Sequence, residues 1–425
     1  MIKESLLHYV WKYKLFDQTN IETTAGHKMK LISTGKHNSD AGPDFFNARI
    51  IMDNIEWAGN IEMHIKSSDW YKHKHQYDKN YDNVILHVVA EMDKEIVLQN
   101  GEIIPTLEIG SLIPDNVLKN YEHISKSRDW IPCQQQIKNV KLLIVNSCLD
   151  RMLTERLERK TDEINQLLKL QKQNWEEICY QLLAKNFGFK VNALPFQMLA
   201  QSLPLNILAK HKNNILQIEA LLFGQAGFLE EECIDDYHLV LQKEYQFLKK
   251  KFKLKNLDRH IWKFLRLRPA NFPTIRIAQF AQLVFKSSKL FSKLLEAKSL
   301  KEIIQYFELG TSEYWQTHYT FGKQSNKKNK HLGKAAIDII LINTVIPVLF
   351  AYGKSKSKVD IEERALDFLS QIKAEKNNII DHWASVGIKA DSAFQSQALL
   401  QLKNNYCKNK KCLKCTIGAQ VLKLN

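Results

Sequence analysis

The chain has 425 residues, 44% of them hydrophobic and 25% charged, which is the composition of a globular protein and excludes a disordered one. Its net charge is +15, and of its 61 Lys and Arg residues only 17 lie in the first 150, beside 20 of the 46 Asp and Glu residues. The remaining 275 residues therefore hold 44 basic and 26 acidic residues, a region that would attract a polyanion or serve solubility alone.

The first 125 residues predict a mixed α/β sheet domain. Residues 3–16 have the apolar spacing of a helix. Five short apolar runs bounded by Gly, Asn and Asp then predict strands at residues 29–33, 45–52, 61–66, 84–90 and 95–98. Asp53-Asn54 predicts a turn, and Asn100-Gly101 predicts a hairpin that leads into residues 102–107.

The segment from Gly42 to Lys66 carries the residues best suited to chemistry. On a strand over residues 61–66, Glu62, His64 and Lys66 point to one face, and Asp44 follows Gly-Pro at the start of the neighbouring strand. Two carboxylates suit a hard cation such as Mg²⁺, or Mn²⁺, while His64 or Lys66 would stabilise developing charge. The alternative is an edge strand with a solvated face, on which Asp44 only caps a turn.

A second interpretation of the same region comes from its histidines. The pair His73-Lys-His75 could bind zinc or manganese, with His64 or His87 completing the site. Histidines scattered over about sixty residues also occur as ordinary surface and hydrogen-bonding groups, so both interpretations stay open.

The order of a helix, a Pro-Asp strand and an acidic strand resembles the PD-(D/E)xK nuclease superfamily. The resemblance implies a restriction-endonuclease-like fold with Asp44 and Glu62 as metal ligands, and it places His64 where that superfamily has lysine, with Lys66 next along the face. The whole chain also resembles a bacterial family of uncharacterised proteins. That likeness, which brings no activity with it, rests on GPDFFNARI, GNIEMHIKSSDW, VILHVV, RPANFPTIR and the terminal cysteines.

After a linker at residues 126–140, residues 141–405 predict a basic, mostly α-helical domain that opens with a long helix at 146–173. In RLRPANFPTIR, the three arginines Arg266, Arg268 and Arg276 lie beside the N-terminus of a helix expected to start near Ile275 and would suit a phosphate, although packing and capping also explain the segment. The basic run containing Lys327 and Lys328 could follow a nucleic-acid backbone or form a solvated face.

Residues 335–352 are apolar and about one membrane thickness long, yet they contain Asp338, Asn343 and Pro347. A buried helix that kinks near Pro347 is therefore expected, and no membrane span. The N-terminus shows no signal-peptide pattern, and the odd number of seven cysteines suits reduced thiols, so we expect a cytoplasmic protein.

The C-terminal segment 406–425 contains Cys407-x4-Cys412-x2-Cys415 among lysines, a spacing that favours Zn²⁺ or an iron–sulfur cluster over free thiols. Cys133 is the candidate for the fourth ligand. By the superfamily resemblance, one upstream and three downstream cysteines would hold an iron–sulfur cluster. Cys148, Cys179 and Cys233 lie in helical patterns and are expected in the core.

These features predict a metal-dependent nuclease that acts on phosphodiesters and grips nucleic acid with its basic half. The alternatives are a nucleic-acid-binding protein without catalysis, and a scaffold for an acidic protein partner. The chain contains no Walker-type phosphate loop, so we expect no ATP hydrolysis, and it lacks a Gly-x-Ser-x-Gly elbow.

Overall fold

The computed structural model describes residues 2–98, 101–232, 234–287 and 289–424. Two compact units are present. The first comprises Met1–Arg151, His382–Ile388 and Leu400–Asn425, and the second comprises Met152–Asp381 and Lys389–Leu399. The C-terminal segment predicted at 406–425 thus folds as part of the first unit.

A seven-stranded sheet forms the centre of the first unit. Its strands are β1 Ile21–Glu22, β2 Lys28–Ser33, β3 Lys36–His37, β4 Phe45–Met52, β5 Ile55–Lys66, β6 Val84–Glu91 and β7 Thr106–Glu108. The order is β1-β2-β4-β5-β6-β7, and β3 pairs with the end of β4. Pairs up to β4–β5 are antiparallel, whereas β5–β6 and β6–β7 are parallel, so the sheet is mixed as predicted.

The turn between β4 and β5 is the predicted one. Asp53 and Asn54 both have positive φ, 49° and 71°, which is the backbone of the two-residue turn that suits a twisted hairpin. The hairpin predicted between 95–98 and 102–107 is present in short form. Val97 and Ile103 make an antiparallel bridge, and the backbone N–H groups of Leu98 and Ile104 donate to the carbonyls of Glu102 and Ile96 at 2.8 and 3.0 Å. The end of the second segment pairs in parallel with β6, where Leu107 is buried in the core.

Both faces of β5 are buried where it runs beside β6. Ile61 and Met63 belong to the larger core, which also takes in the helix α1 (Glu4–Lys12). Because side chains alternate along a strand, Glu62 and His64 lie on the opposite face, and they are 5% and 1% exposed. A smaller core includes Tyr81 and Trp70, and Trp70 lies on the helix α2 (Asp69–Lys72). The helix α3 (Asp115–Lys126) follows the last strand of the sheet along the chain.

Helices account for most of the chain that follows, as predicted. They are α4 Leu142–Leu170, α5 Trp175–Phe187, α6 Phe189–Ser202, α7 Leu205–Ala209, α8 Ile215–Gln225, α9 Asp236–Phe252, α10 Pro273–Lys286, α11 Leu290–Glu296, α12 Leu300–Tyr306, α13 Glu313–Thr317, α14 Lys334–Ile340, α15 Ile346–Lys356, α16 Val359–Gln371, α17 Asn378–Ser385, α18 Ala393–Gln401 and α19 Thr416–Leu422. A small hairpin, β8 His318–Thr320 with β9 Lys323–Gln324, interrupts them. The fold is therefore α+β.

The apolar segment around Pro347 is a helix of 23 residues, Lys334–Lys356, and 67% of its most apolar 18-residue stretch is buried. Within the part of the chain that the structure describes, this one helix has the length and the apolar composition needed to cross a membrane. A wide helical turn, Leu341–Val345, joins α14 to α15 immediately before Pro347, and this turn accommodates a residue that cannot donate a backbone hydrogen bond. The helix Lys334–Lys356 forms part of the core of the second unit, as predicted from the sequence.

Candidate metal centre

The carboxylates of Asp44, directly before β4, and Glu62, on β5, are held side by side by hydrogen bonds from the backbone. Gly42 has a φ of +100°, which favours glycine, and this turn delivers Asp44 to the end of the strand. The Asp44 Oδ2 atom accepts a hydrogen bond of 3.0 Å from the backbone N–H of Met63, and the backbone N–H of Asp44 donates to Glu62 Oε2 at 3.2 Å. Sequence reasoning placed these two residues side by side, and the structure does the same.

Three histidines cluster beside Glu62, and two of them contact its carboxyl. The Nε2 atom of His64 lies 3.7 Å from Glu62 Oε1 and 3.0 Å from Nδ1 of His73, while Nε2 of His75 lies 3.3 Å from Glu62 Oε1. Each of the three histidines offers one nitrogen within 4.8 Å of the other two. Lys74, between His73 and His75, has a φ of 63°, so the backbone reverses direction there. The rings of both histidines lie beside that of His64. We call Glu62, His64, His73 and His75 the histidine centre.

The spacing of these donor atoms is compatible with a metal site as well as with a hydrogen-bonded cluster. Ligands about 2.1 Å from an ion are separated from one another by roughly 3.0–3.4 Å in octahedral or tetrahedral geometry. The distances from Glu62 Oε1 to His75 and from His64 to His73, 3.3 and 3.0 Å, fall in that range, and the 3.7 Å from His64 to Glu62 lies slightly beyond it. The types of residue present suit a transition-metal ion.

Outer contacts hold the rings in place. The Nδ1 atom of His64 lies 2.8 Å from Nε2 of His87, a buried residue on β6. The ring of His75 stacks on Tyr81 with centroids 3.9 Å apart and meets Trp70 edge-on at 5.4 Å. A hydrogen bond at the far nitrogen of a ligating histidine is the usual way in which proteins fix its orientation.

The electrostatics favour neutral imidazoles and disfavour two bare carboxylates. Burial, followed by the charge of Asp44, raises the pKa of Glu62 to about 9. Burial, followed by the neighbouring histidines, lowers the pKa of His64 to about 2, and burial lowers the pKa of His87 to about 3. At neutral pH His64 thus keeps the lone pair that a metal needs, and a cation would relieve the repulsion between the carboxylates.

A second cluster adjoins the first through Asp44. On α1, His8 Nε2 lies 3.2 Å from Asp44 Oδ2 and 3.7 Å from Glu4 Oε1. Burial lowers the pKa of His8, but its hydrogen bond to Asp44 and the nearby carboxylate charges outweigh burial, so the net pKa is raised. Sequence reasoning missed Glu4 and His8, although their i, i+4 spacing on a predicted helix was the available signal.

Lys66 occupies a different position from the one its strand face suggested. Its Nζ atom lies 3.1 Å from Glu91, its partner residue on β6, and this contact raises the pKa of the lysine. The carboxylates with the largest effect on its pKa are Glu91, followed by Asp93 and Asp69. Its ion pair with Glu91 is exposed, so the catalytic role expected for Lys66 gains no support from its surroundings.

The five residues expected to bind nucleic acid differ in exposure. Arg266, Arg268, Lys327 and Lys328 are exposed in the second unit. Arg276 is 7% exposed, and its guanidinium donates hydrogen bonds to Asn271 at 2.6 Å and Gln279 at 2.9 Å. Two of its donor nitrogens are thus engaged inside the unit and its side chain is buried, so a phosphate contact at Arg276 gains no support from the structure.

The cysteines of the predicted thiolate site, Cys133, Cys407, Cys412 and Cys415, all belong to the first unit and have free thiols. Cys148 and Cys179 are buried, as predicted. Cys233 lies outside the described residues.

Comparison with protein families gives a match over residues 4–378 to the model described as "Protein of unknown function (DUF2851)". No curated protein and no solved structure matches the chain.

Proposed function

The chain belongs to the DUF2851 family, and we propose that it is a metal-dependent phosphodiesterase that cleaves nucleic acid. The observation that carries the proposal is the histidine centre, in which three imidazoles offer nitrogens within 4.8 Å of one another and two of them contact the carboxyl of Glu62, next to Asp44.

The donor set indicates which ion would bind. Mg²⁺ prefers oxygen ligands and keeps its waters, whereas imidazole nitrogen suits Zn²⁺ and Mn²⁺ can share a site of nitrogen and oxygen donors. Three histidine nitrogens beside one or two carboxylates therefore favour Mn²⁺ or Zn²⁺ over the Mg²⁺ that Asp44 and Glu62 alone would suggest. An ion at this position would polarise a phosphate oxygen and lower the pKa of a bound water.

The roles of the protein groups follow from their protonation. His64 stays neutral at physiological pH, so it serves as a ligand and not as the charge stabiliser that the sequence suggested. His8 has a raised pKa and contacts Asp44, so it is the group placed to offset phosphate charge or to protonate a leaving oxygen. Asp44 would link the two clusters, since it contacts His8 through its side chain and Glu62 through its backbone.

Two features support nucleic acid as the substrate. The arrangement of Asp44 and Glu62 after a helix resembles that of PD-(D/E)xK nucleases, which cleave phosphodiesters. The chain also carries a net charge of +15, and Arg266, Arg268, Lys327 and Lys328 are exposed in its second unit. Phosphate neutralisation by such residues is the main source of affinity for nucleic acid.

The test is cleavage of labelled single- and double-stranded DNA and RNA by the purified chain with Mn²⁺, Zn²⁺ or Mg²⁺, beside Glu62→Gln and His73→Ala. Outer partners of a metal ligand already contribute about 10- to 100-fold to metal affinity or activity, so losing a ligand should reduce cleavage at least about 100-fold. Binding of the same substrates, measured without metal, should persist in both variants.

His27→Ala is the matched control. Like His73, His27 is exposed and lies in the first unit, but its ring pairs with Asp53 at 2.6 Å. Cleavage that survives in Glu62→Gln and His73→Ala would sink the proposal. Binding without cleavage under any metal would leave a nucleic-acid-binding protein, and weak binding throughout would favour an acidic protein partner.

A further inference from the structure

The first unit gathers five cysteines from distant parts of the chain. Cys133 precedes α4, Cys148 lies on α4, and Cys407, Cys412 and Cys415 lie in the C-terminal segment. All five have free thiols, and Cys133, Cys148 and Cys415 are buried. Thiols that share one region without forming disulfides are typical of a reducing compartment or of a metal site.

Tight turns shape the C-terminal segment around its three cysteines. The backbone N–H of Lys410 donates to the carbonyl of Cys407 at 3.1 Å, and that of Cys415 donates to the carbonyl of Cys412 at 3.1 Å. The helix α19 begins directly after Cys415, and Gly418 lies so close to the turn that an added Cβ would be 2.3 Å from the Cys412 carbonyl oxygen. The turns therefore hold the three thiols within one short loop.

Cys133 reaches the same place through a turn of its own. Its carbonyl accepts hydrogen bonds from the backbone N–H groups of Gln136 and Ile137, at 3.1 and 2.9 Å, and the following residues, Ile137–Asn139, contact α19. The thiol of Cys133 interacts electrostatically with those of Cys415 and Cys412. The upstream thiol and the three downstream thiols, all among the described residues, thus lie in one region of the first unit, with no three of their sulfur atoms within 4.8 Å of one another.

The sulfur of Cys415 is the centre of this cluster. It interacts with the thiols of Cys133, Cys407 and Cys412, and it accepts a hydrogen bond from the thiol of Cys148. The backbone of Gly418 and Ile417 also directs hydrogen bonds at this sulfur. Hydrogen bonds directed at one sulfur are what a metal-bound thiolate requires.

Hydrogen bonds from cationic side chains join the C-terminal region that contains the thiols to earlier residues of the first unit. Arg151 donates hydrogen bonds to the carbonyl of Lys414 at 2.6 Å and to the hydroxyl of Tyr406 at 3.3 Å. Lys410 donates to the carbonyl of Ser125 at 3.0 Å, and Lys403 donates to the carbonyl of Trp130. These charges lie close enough to offset the negative charge of several thiolates.

We propose that Cys133, Cys407, Cys412 and Cys415 bind a metal centre through four thiolates, and that this centre fastens the C-terminal segment to the sheet unit. The proposal rests on the convergence of the four residues and the hydrogen bonds around them, and it is independent of the histidine centre. Four sulfur ligands select Zn²⁺ or an iron–sulfur cluster. Cys148 then serves as a hydrogen-bond donor to the ligand Cys415 and not as a ligand itself.

The test uses the full chain purified under reducing, anaerobic conditions. Zinc, iron and acid-labile sulfide are counted per chain, visible absorption is recorded, and metal release is followed on titration with the thiol reagent p-hydroxymercuribenzoate. About one zinc ion released by the reagent from a colourless protein identifies Zn²⁺, whereas several iron and sulfide per chain with visible absorption identify a cluster. Either result supports the proposal.

Two variants and one control complete the experiment. Cys412→Ser and Cys133→Ser should each lose the thiol-bound metal, whereas Cys179→Ser, at a buried cysteine of the second unit, should keep it. His73→Ala should also keep it, so a failure of the histidine centre is distinguishable from a failure of this site. A wild-type chain that releases no zinc or iron to the mercury reagent overturns the proposal without reference to any variant.

Discussion

Buried carboxyl groups at two places in this chain are held by different kinds of neighbour. Glu62 lies beside a second carboxyl and contacts two imidazoles, so a bound cation would stabilise its ionised form. Glu219 in the second unit is fully buried, and it accepts hydrogen bonds from the hydroxyl groups of Tyr237 and Ser312. Hydrogen-bond donors without a positive charge satisfy an acid but do not compensate its ionisation, so Glu219 should act on stability alone.

Glu219 predicts a pH dependence of folding. Burial raises its pKa from 4.5 to about 7, so between these values the folded state keeps a proton that the unfolded chain has released. This contribution to stability is therefore complete below pH 4.5, falls as pH rises through 7, and amounts to on the order of 3 kcal/mol. In Glu219→Gln, the free energy of unfolding in urea should fall less between pH 5 and pH 8 than it does in the wild type.

The exposed Glu313 of the same unit provides the control, and Glu313→Gln should keep the wild-type pH slope. An unchanged slope in Glu219→Gln would show that the pKa of this carboxyl does not differ between the folded and unfolded chain.

Single residues also show the limit of strand periodicity. Alternation along β5 assigns Glu62, His64 and Lys66 to one face, and the first two do meet there. Lys66 has a long flexible stem at the end of the strand, and the carboxylate of Glu91 on β6 captures it. Periodicity gives the direction of a Cα–Cβ bond, but it does not give the position of a charged group several bonds farther along.

At the level of elements, the segment after β5 does the most to build the histidine centre. The helix α2 buries Trp70 beneath the rings, and the chain then reverses at Lys74 to bring in His75. Its two histidines were recognisable as a possible metal pair in the sequence. Their approach to His64 depends on Trp70 and Tyr81, whose packing against the face of β5 no local pattern encodes.

The contact between α19 and the preceding turn gives a prediction for the C-terminal element. In Gly418→Ala, the new methyl group would overlap the carbonyl of Cys412, so the turn and its cysteine must move. Overpacking of this kind costs roughly 1–3 kcal/mol. We expect faster proteolysis of the C-terminal segment and weaker retention of metal at the cysteines, both measured on the intact chain.

Gly333→Ala is the corresponding control, because an added Cβ at Gly333 meets no atom within 4 Å. Equal proteolysis rates for the two variants would contradict the close approach of α19 to the turn.

For the molecule as a whole, the candidate metal centre and the candidate nucleic-acid-binding residues belong to different units. The histidine centre lies in the first unit, while the exposed Arg266, Arg268, Lys327 and Lys328 lie in the second. Long-range attraction of a polyanion depends on the summed charge, so it should be sensitive to salt and insensitive to sequence.

We therefore expect Lys327→Ala/Lys328→Ala to weaken DNA binding equally for all sequences. If both lysines contact phosphates, the slope of log affinity against log salt should become shallower by about 1–2. Fluorescence anisotropy at several salt concentrations measures both quantities.

The matched pair Lys28→Ala/Lys30→Ala removes the same charge from exposed positions on β2 in the first unit. An equal effect of the two pairs would mean that net charge alone attracts the nucleic acid. No effect of the Lys327 and Lys328 substitutions would remove the second unit's basic run from the binding surface.

The amino-acid sequence by itself determined the features that depend on neighbours along the chain. These are the strands and the turn around Asp53-Asn54, the adjacency of Asp44 and Glu62, the change from a sheet to helices, and the spacing of the last three cysteines. Each follows from side-chain periodicity, backbone preference or local composition, all of which act over a few residues.

Only the tertiary structure decided which of these features meet. Packing of apolar faces brought His8 to Asp44 and the C-terminal segment to Cys133, and it placed Arg276 inside the second unit. The contacts of His8 with Asp44 and of the C-terminal segment with the Cys133 region join residues tens to hundreds of positions apart, and their geometry is set by how cores fill space. A local pattern carries no information about that packing, so only the folded chain shows which of the candidate ligands named from the sequence lie together.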